Sequence, residues 1–107
     1  MSDWTFVANV SEIPPQHHKK VDLDGTLVAV FNIGGEFFAI EDVCTHDGAE
    51  LTSIDTISGS EIVCPRHGAR FCVKTGEALS APAYEPTATF PVKVEGGKLF
   101  SRDDRWD

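Results

Sequence analysis

The chain has 107 residues, 17 acidic and 9 basic, for a net charge of −8. That length fills one domain with one continuous core and does not fill two. So acidic a chain is a poor neutraliser of phosphates, which argues against nucleic acid or an anionic membrane surface as partner and suits steering toward a basic patch on another protein.

The hydrophobic fraction of 41% and charged fraction of 24% are those of a globular protein, not of a disordered tail. Met1-Ser2-Asp3-Trp4 places no basic region before an apolar run, and no stretch approaches the roughly 20 apolar residues that cross a bilayer. The expectation is a cytoplasmic protein.

Trp4 to Val10 reads as a first strand. Ser11-Glu12-Ile13-Pro14-Pro15 ends it, because two prolines remove two donors and fix φ. His17 and His18 follow, and with Lys19 and Lys20 they read as a solvated loop. Thr26 to Ile33 is rich in β-branched residues and predicts a strand. Gly34-Gly35 then links it to Glu36–Glu41, a tight hairpin whose two central positions can both take φ > 0. Ala49 to Ile57 has room for one short helical turn. Arg70 to Lys74 is a short strand closed by a turn at Thr75-Gly76. Near the C-terminus Phe90, Val92 and Val94 alternate with Lys93 and Glu95, and Gly96-Gly97 turns the chain into Lys98 to Ser101, a second hairpin with one face buried. No helical stripe is sustained. Many short strands with frequent turn signals predict an all-β sandwich or partly open barrel, one domain over residues 1–107.

The alternation fails at Cys44 to Glu50 and at Cys64 to Ala69, where strand ends run into glycine-containing loops. Cys44-Thr45-His46 and Cys64-Pro65-Arg66-His67 each supply one thiolate and one imidazole, with seventeen residues from Asp47 to Val63 between them. In a cytosolic chain a close Cys/His grouping points to metal before disulfides. A zinc finger groups a cysteine pair and then a histidine pair on a helix, whereas here each pair is mixed and lies on a loop. A Rieske [2Fe–2S] cluster needs two cysteines on one iron and two histidines on the other, and two mixed loops meet that need. A structural zinc site is the competing reading of the same four residues.

The two boxes, the second completed by Gly68, resemble the cluster-binding motifs of Rieske proteins. Gly35 to Asp42 is similar to the strand that enters the first box in ferredoxins of ring-hydroxylating dioxygenases. Phe71-Cys72-Val73-Lys74-Thr75-Gly76 is similar to their exit strand and turn. The resemblance implies an antiparallel β-sandwich with a small cluster-binding subdomain, about residues 43–74, formed by two loops. It implies one [2Fe–2S] cluster on Cys44, His46, Cys64 and His67, and a one-electron carrier rather than an enzyme. It further implies a flavin-dependent reductase as donor and a terminal, aromatic-ring-hydroxylating oxygenase as acceptor, with the carrier itself a monomer. The fold also resembles small Rieske-like subunits of nitrite reductases, and an iron–sulfur accessory role is a further alternative.

Departures from the family pattern choose a branch. Where respiratory and photosynthetic members carry two bridging cysteines, this chain has Ala49 and Arg66. Where the high-potential branch carries a Ser and a Tyr, it has Ala69 and Phe71. Missing hydroxyl donors leave the reduced state less stabilised, so the potential is expected toward the low end of a range of roughly −150 to +300 mV.

Cys72 alternates with Phe71 and Val73, so it should face away from them, as a small filler without a role. Ala81-Pro82-Ala83-Tyr84-Glu85-Pro86 resembles the stiff loop that covers the cluster in this family, and Tyr84 either contacts that region or caps the core. Arg66, Arg70 and Lys74 beside the second box read as solvated charges, with a docking role as the alternative, and Asp42, Asp47 and Glu50 flank the first box, so the tip is mixed in sign.

Overall fold

A computed structural model describes residues 3–45, 48, 50–53, 57–65, 68–81 and 83–105. Ten strands make three antiparallel sheets: β1 (Thr5–Asn9), β2 (His18–Leu23), β3 (Thr26–Ile33), β4 (Glu36–Glu41), β5 (Ile57–Ser58), β6 (Glu61–Val63), β7 (Arg70–Cys72), β8 (Thr89–Phe90), β9 (Val92–Glu95) and β10 (Lys98–Ser101). The sheet orders are β1-β10-β9, β2-β3-β4-β8 and β5-β6-β7. Two single-turn 3-10 helices, Val10–Glu12 and Leu51–Ser53, are the only helical elements among the described residues. The second falls inside the segment where the sequence left room for a turn.

The four-stranded sheet is a partition with a core on each side. On β3, Val28 and Val30 join Val7, Ile13, Leu23, Phe90 and Leu99 in a base core against the β1-β10-β9 sheet. The alternate residues Ala29 and Phe31 join Ile40, Leu51, Ile62, Phe71 and both Cys44 and Cys64 in a second core against β5-β6-β7. A strand buried on both faces has no polar side to show, which is why Thr26–Ile33 reads as an almost unbroken apolar run.

The hairpins follow from their turn residues. Ile33 pairs with Glu36 across Gly34-Gly35, and Glu95 with Lys98 across Gly96-Gly97. At both links the two glycines have positive φ, 62° and 94° at the first and 57° and 75° at the second, as two-residue primed turns need.

Three expectations are corrected. His18 is not in a loop: it opens β2 opposite Phe31, half-buried, with ring centroids 5.5 Å apart. His17 does lie outside the strand, its N–H on the Pro14 carbonyl. The run from Phe90 to Glu95 is not one strand. Phe90 pairs with Ala39 of β4, while Val92–Glu95 pairs with β10. Pro91, which has no N–H to give a ladder, separates them and accepts the Ser101 hydroxyl at 2.8 Å. Val94 is half-exposed rather than buried with Phe90, because β9 is an edge strand and its hairpin end runs out past the core. No helix among the described residues is long and apolar enough to cross a membrane.

Candidate metal centre

Cys44 lies just beyond the end of β4, and Cys64 just beyond the end of β6. Each begins a five-residue turn closed by a glycine. The Gly48 N–H donates to the Cys44 carbonyl at 2.7 Å, and the Gly68 N–H donates to the Cys64 carbonyl at 3.0 Å. The closing glycines share one backbone conformation, φ 79° and 77°, which a side chain would strain. The same i to i+4 hydrogen bond thus joins Cys44 to Gly48 and Cys64 to Gly68. The second turn is also the tip of a hairpin: the Cys64 N–H donates to the Ala69 carbonyl at 2.7 Å, continuing the β6–β7 ladder.

Both cysteines are about 1% exposed and belong to one apolar cluster with Ala69, Phe71 and Ala83. Of the four candidate ligands, the structure brings these two together; His46 and His67 lie outside the described residues, as do Ala49, Arg66 and Asp47. Two buried thiols in one apolar core, each heading a loop whose sequence offers an imidazole, make a donor set suited to a cluster with two sulfur and two nitrogen ligands. Ala69 and Phe71 are both fully buried beside the cysteines, and neither carries a hydroxyl.

The roots of the two loops are tied by hydrogen bonds that no motif announces. Asp42, which flanks the first box, is buried, its side chain wholly so. It accepts from the Thr52 N–H at 2.9 Å and from the Thr52 hydroxyl. Lys20 stands 3.8 Å from the same carboxylate and 3.5 Å from Glu50. The first loop is thereby clipped shut at its base. Thr87 joins the two halves. Its hydroxyl donates to the Glu41 carbonyl at 3.0 Å, at the end of β4, and its N–H to the Gly76 carbonyl at 2.8 Å, after β7. The approach is so close that a Cβ on Gly76 would meet the Thr87 carbonyl oxygen at 2.2 Å. No motif marks Asp42, Thr52 or Thr87 in the sequence, since each depends on partners 10 or more residues away.

Of the basic residues beside the second box, Arg70 stands 3.6 Å from Glu61 and the Lys74 ammonium lies over the Phe38 ring at 5.6 Å. Cys72 faces away from the buried Phe71 and Val73 and is half-buried. Burial pushes its thiol up, but the Thr75 hydroxyl and the N–H groups of Lys74 and Thr75 outweigh this and hold it below the ordinary thiol value.

The segment from Leu79 to Glu85 spans the two loops. Leu79 donates its N–H to the Arg70 carbonyl at 2.7 Å, the Arg70 N–H reaches the Ser80 hydroxyl at 3.1 Å, and the Thr45 hydroxyl donates to the Glu85 carbonyl at 2.7 Å. Pro82 lies outside the described residues. Ala83 turns into the cysteine cluster at 3% exposure, while Tyr84 is 84% exposed and caps nothing.

The chain matches the Rieske [2Fe-2S] domain family over residues 3–91, a span that includes both cysteine boxes. It is 40% identical over 95 residues to the 3-phenylpropionate/cinnamic acid dioxygenase ferredoxin subunit of Escherichia coli strain K12, covering 89% of each chain. Its fold is similar to that of the ferredoxin of carbazole 1,9a-dioxygenase from Nocardioides aromaticivorans, with a TM-score of 0.86, 31% identity and coverage of 92% of this chain and 96% of that one. It is also similar to a chain in a complex of reduced oxygenase and oxidized ferredoxin in carbazole 1,9a-dioxygenase, with a TM-score of 0.87, 36% identity and 92% of each chain covered.

Proposed function

Because the chain belongs to the Rieske [2Fe-2S] domain family, we propose that Cys44, His46, Cys64 and His67 hold its one cluster and that it carries single electrons to a terminal oxygenase of the ring-hydroxylating kind. The observation that carries the reading is the pair of matched Cys-to-Gly hydrogen bonds, each headed by a buried cysteine of the same apolar core. When bound, the cluster supplies a reversible one-electron site. The protein holds it in a rigid frame, because the loop roots are fixed by Asp42, Thr52 and Thr87, and little reorganisation accompanies a change of charge.

The potential lies toward the low end of the Rieske range, a reading supported by Ala69 and Phe71, which offer no hydroxyl to sulfur. The relatives named as ferredoxin subunits favour the carrier over a nitrite reductase subunit. A flavin-dependent reductase completes the pathway as electron donor. The carrier works as a cytoplasmic monomer, one domain over residues 1–107 with a cluster-binding subdomain at about 43–74.

The test is single-turnover electron transfer. The protein, reduced anaerobically, is mixed with oxidised ring-hydroxylating oxygenases, and its visible spectrum is followed by stopped flow. Rapid reoxidation by one of them is expected. Failure with all of them, together with tight co-purification with a large reductase subunit, would contradict the reading.

A further inference from the structure

Tyr84 stands out among the exposed apolar side chains. At 84% exposure it far exceeds the next among the described residues, Val94 at 50%, Phe6 at 48% and Leu79 at 45%. Phe6 and Val94 lie on β1 and β9 in the base, whereas Tyr84 and Leu79 sit on the segment that spans the two cysteine loops. Leaving an aromatic ring in water forgoes the burial that such a side chain brings to a core.

The backbone explains why the ring cannot fold back. Its neighbour Ala83 is held in the cysteine cluster, and Glu85 is held through its carbonyl by Thr45. The start of the segment is fastened to Arg70 of β7 on the other loop. With Ala83 directed inward and both ends fastened, Tyr84 is presented outward on the segment that spans the two cysteine loops. A side chain displayed on a backbone already fixed loses little further freedom when a partner covers it. Tyr is among the residues that most often dominate binding energy from the centre of an interface. The segment also carries an exposed carboxylate next to Tyr84 in sequence, Glu85, on a chain of net charge −8. An aromatic knob with an acidic surround fits a partner that offers an apolar socket rimmed by Lys and Arg.

We propose that Tyr84 is the apolar anchor by which this protein docks on its terminal oxygenase. The inference rests on the electron-carrier reading above and adds the residue that gives the complex its affinity.

The test uses the full-length holo-protein and the oxygenase that reoxidises the wild type in stopped flow. Tyr84→Ala, Tyr84→Phe and, as a control on the base, Val94→Ala are compared by KM for the carrier in oxygenase turnover and by Kd in titration calorimetry. The anchor role expects Tyr84→Ala to raise KM and Kd at least tenfold. Tyr84→Phe, which keeps the ring, and Val94→Ala stay within twofold of wild type. The reduced EPR spectrum, the midpoint potential and the rate of reduction by the reductase are unchanged in Tyr84→Ala. A KM within twofold for Tyr84→Ala overturns the proposal. So does an equal loss in Tyr84→Phe, a shifted potential or spectrum, or an effect confined to the reductase. Failure of the wild type itself to pass electrons to any oxygenase removes the carrier reading and this inference together.

Discussion

The clip at the base of the first cysteine loop gives the most demanding prediction. The Asp42 side chain has no exposed surface and receives two hydrogen bonds from one residue, Thr52. Bonds to a charged acceptor contribute about 1.5–3 kcal/mol each. Asp42→Ala removes both and leaves a backbone N–H and a hydroxyl buried without a partner, while relieving the cost of keeping a carboxylate out of water. Lys20 at 3.8 Å is partly exposed and adds little. The net loss is about 3 kcal/mol, a large share of the 5–15 kcal/mol that typically holds a domain together.

Thr52→Val removes only the hydroxyl and should cost about 1 kcal/mol. The two substitutions act on one contact, so the double variant should lose about 1 kcal/mol less than the sum of the singles. Urea unfolding followed by far-ultraviolet circular dichroism reads these values, and an unchanged slope with denaturant shows that only stability has moved. The visible absorbance of the holo-protein should fade at lower urea in Asp42→Ala than in wild type. A loss below about 1 kcal/mol for Asp42→Ala, or strictly additive singles, would refute the clip.

Gly76→Ala must fit a Cβ at 2.2 Å from the Thr87 carbonyl oxygen and a φ of 78°, whereas Gly59, at φ 60°, has nothing within 4 Å of its Cβ position. Thermal melts should show Gly76→Ala destabilised by about 3 kcal/mol and Gly59→Ala by about 1 kcal/mol, and equal effects would mean that the Gly76–Thr87 crossing yields easily. At the C-terminal end, the Arg105 side chain hydrogen-bonds Asp103 at 2.7 and 2.9 Å and holds its carboxyl below the usual range. A depressed carboxylate stabilises the fold in full above its unfolded value near 3.9 and loses that contribution as pH falls through the lower, folded value. The Tm gap between wild type and Asp103→Asn should therefore be full at pH 6 and shrink below about pH 4; a gap that widens on acidification would refute the pairing.

How much was legible beforehand depended on whether the cause was local. β3 and β4 carry the bounds that the sequence suggests, because a two-sided apolar run and a Gly34-Gly35 turn are properties of adjacent residues. The two boxes stand out in the sequence for the same reason, each being a run of adjacent residues. β2 was missed because Lys19, Lys20 and Asp22 made an outer strand look like a loop. Its signal was nonetheless present in Asp24-Gly25, which turns Leu23 onto Thr26 with φ of 53° and 92°. The exposure of Val94 was hidden, since alternation shows which side chains share a face but not whether another sheet covers it. Asp42 shows the limit most clearly. A carboxylate beside a metal loop looks solvated until Thr52, ten residues on, is folded back onto it. Tyr84 was likewise undecided, because only the inward turn of Ala83 fixes which way its neighbour points.

Low-temperature EPR of the reduced protein reads whether Cys44, His46, Cys64 and His67 hold one mixed-ligand cluster. A [2Fe–2S] signal is expected whose average g value lies visibly below that of an all-cysteine centre, with its loss in Cys44→Ser, His46→Ala, Cys64→Ser and His67→Ala but not in Cys72→Ser. A colourless, EPR-silent protein that contains zinc, or an average g value equal to that of an all-cysteine cluster, would contradict it.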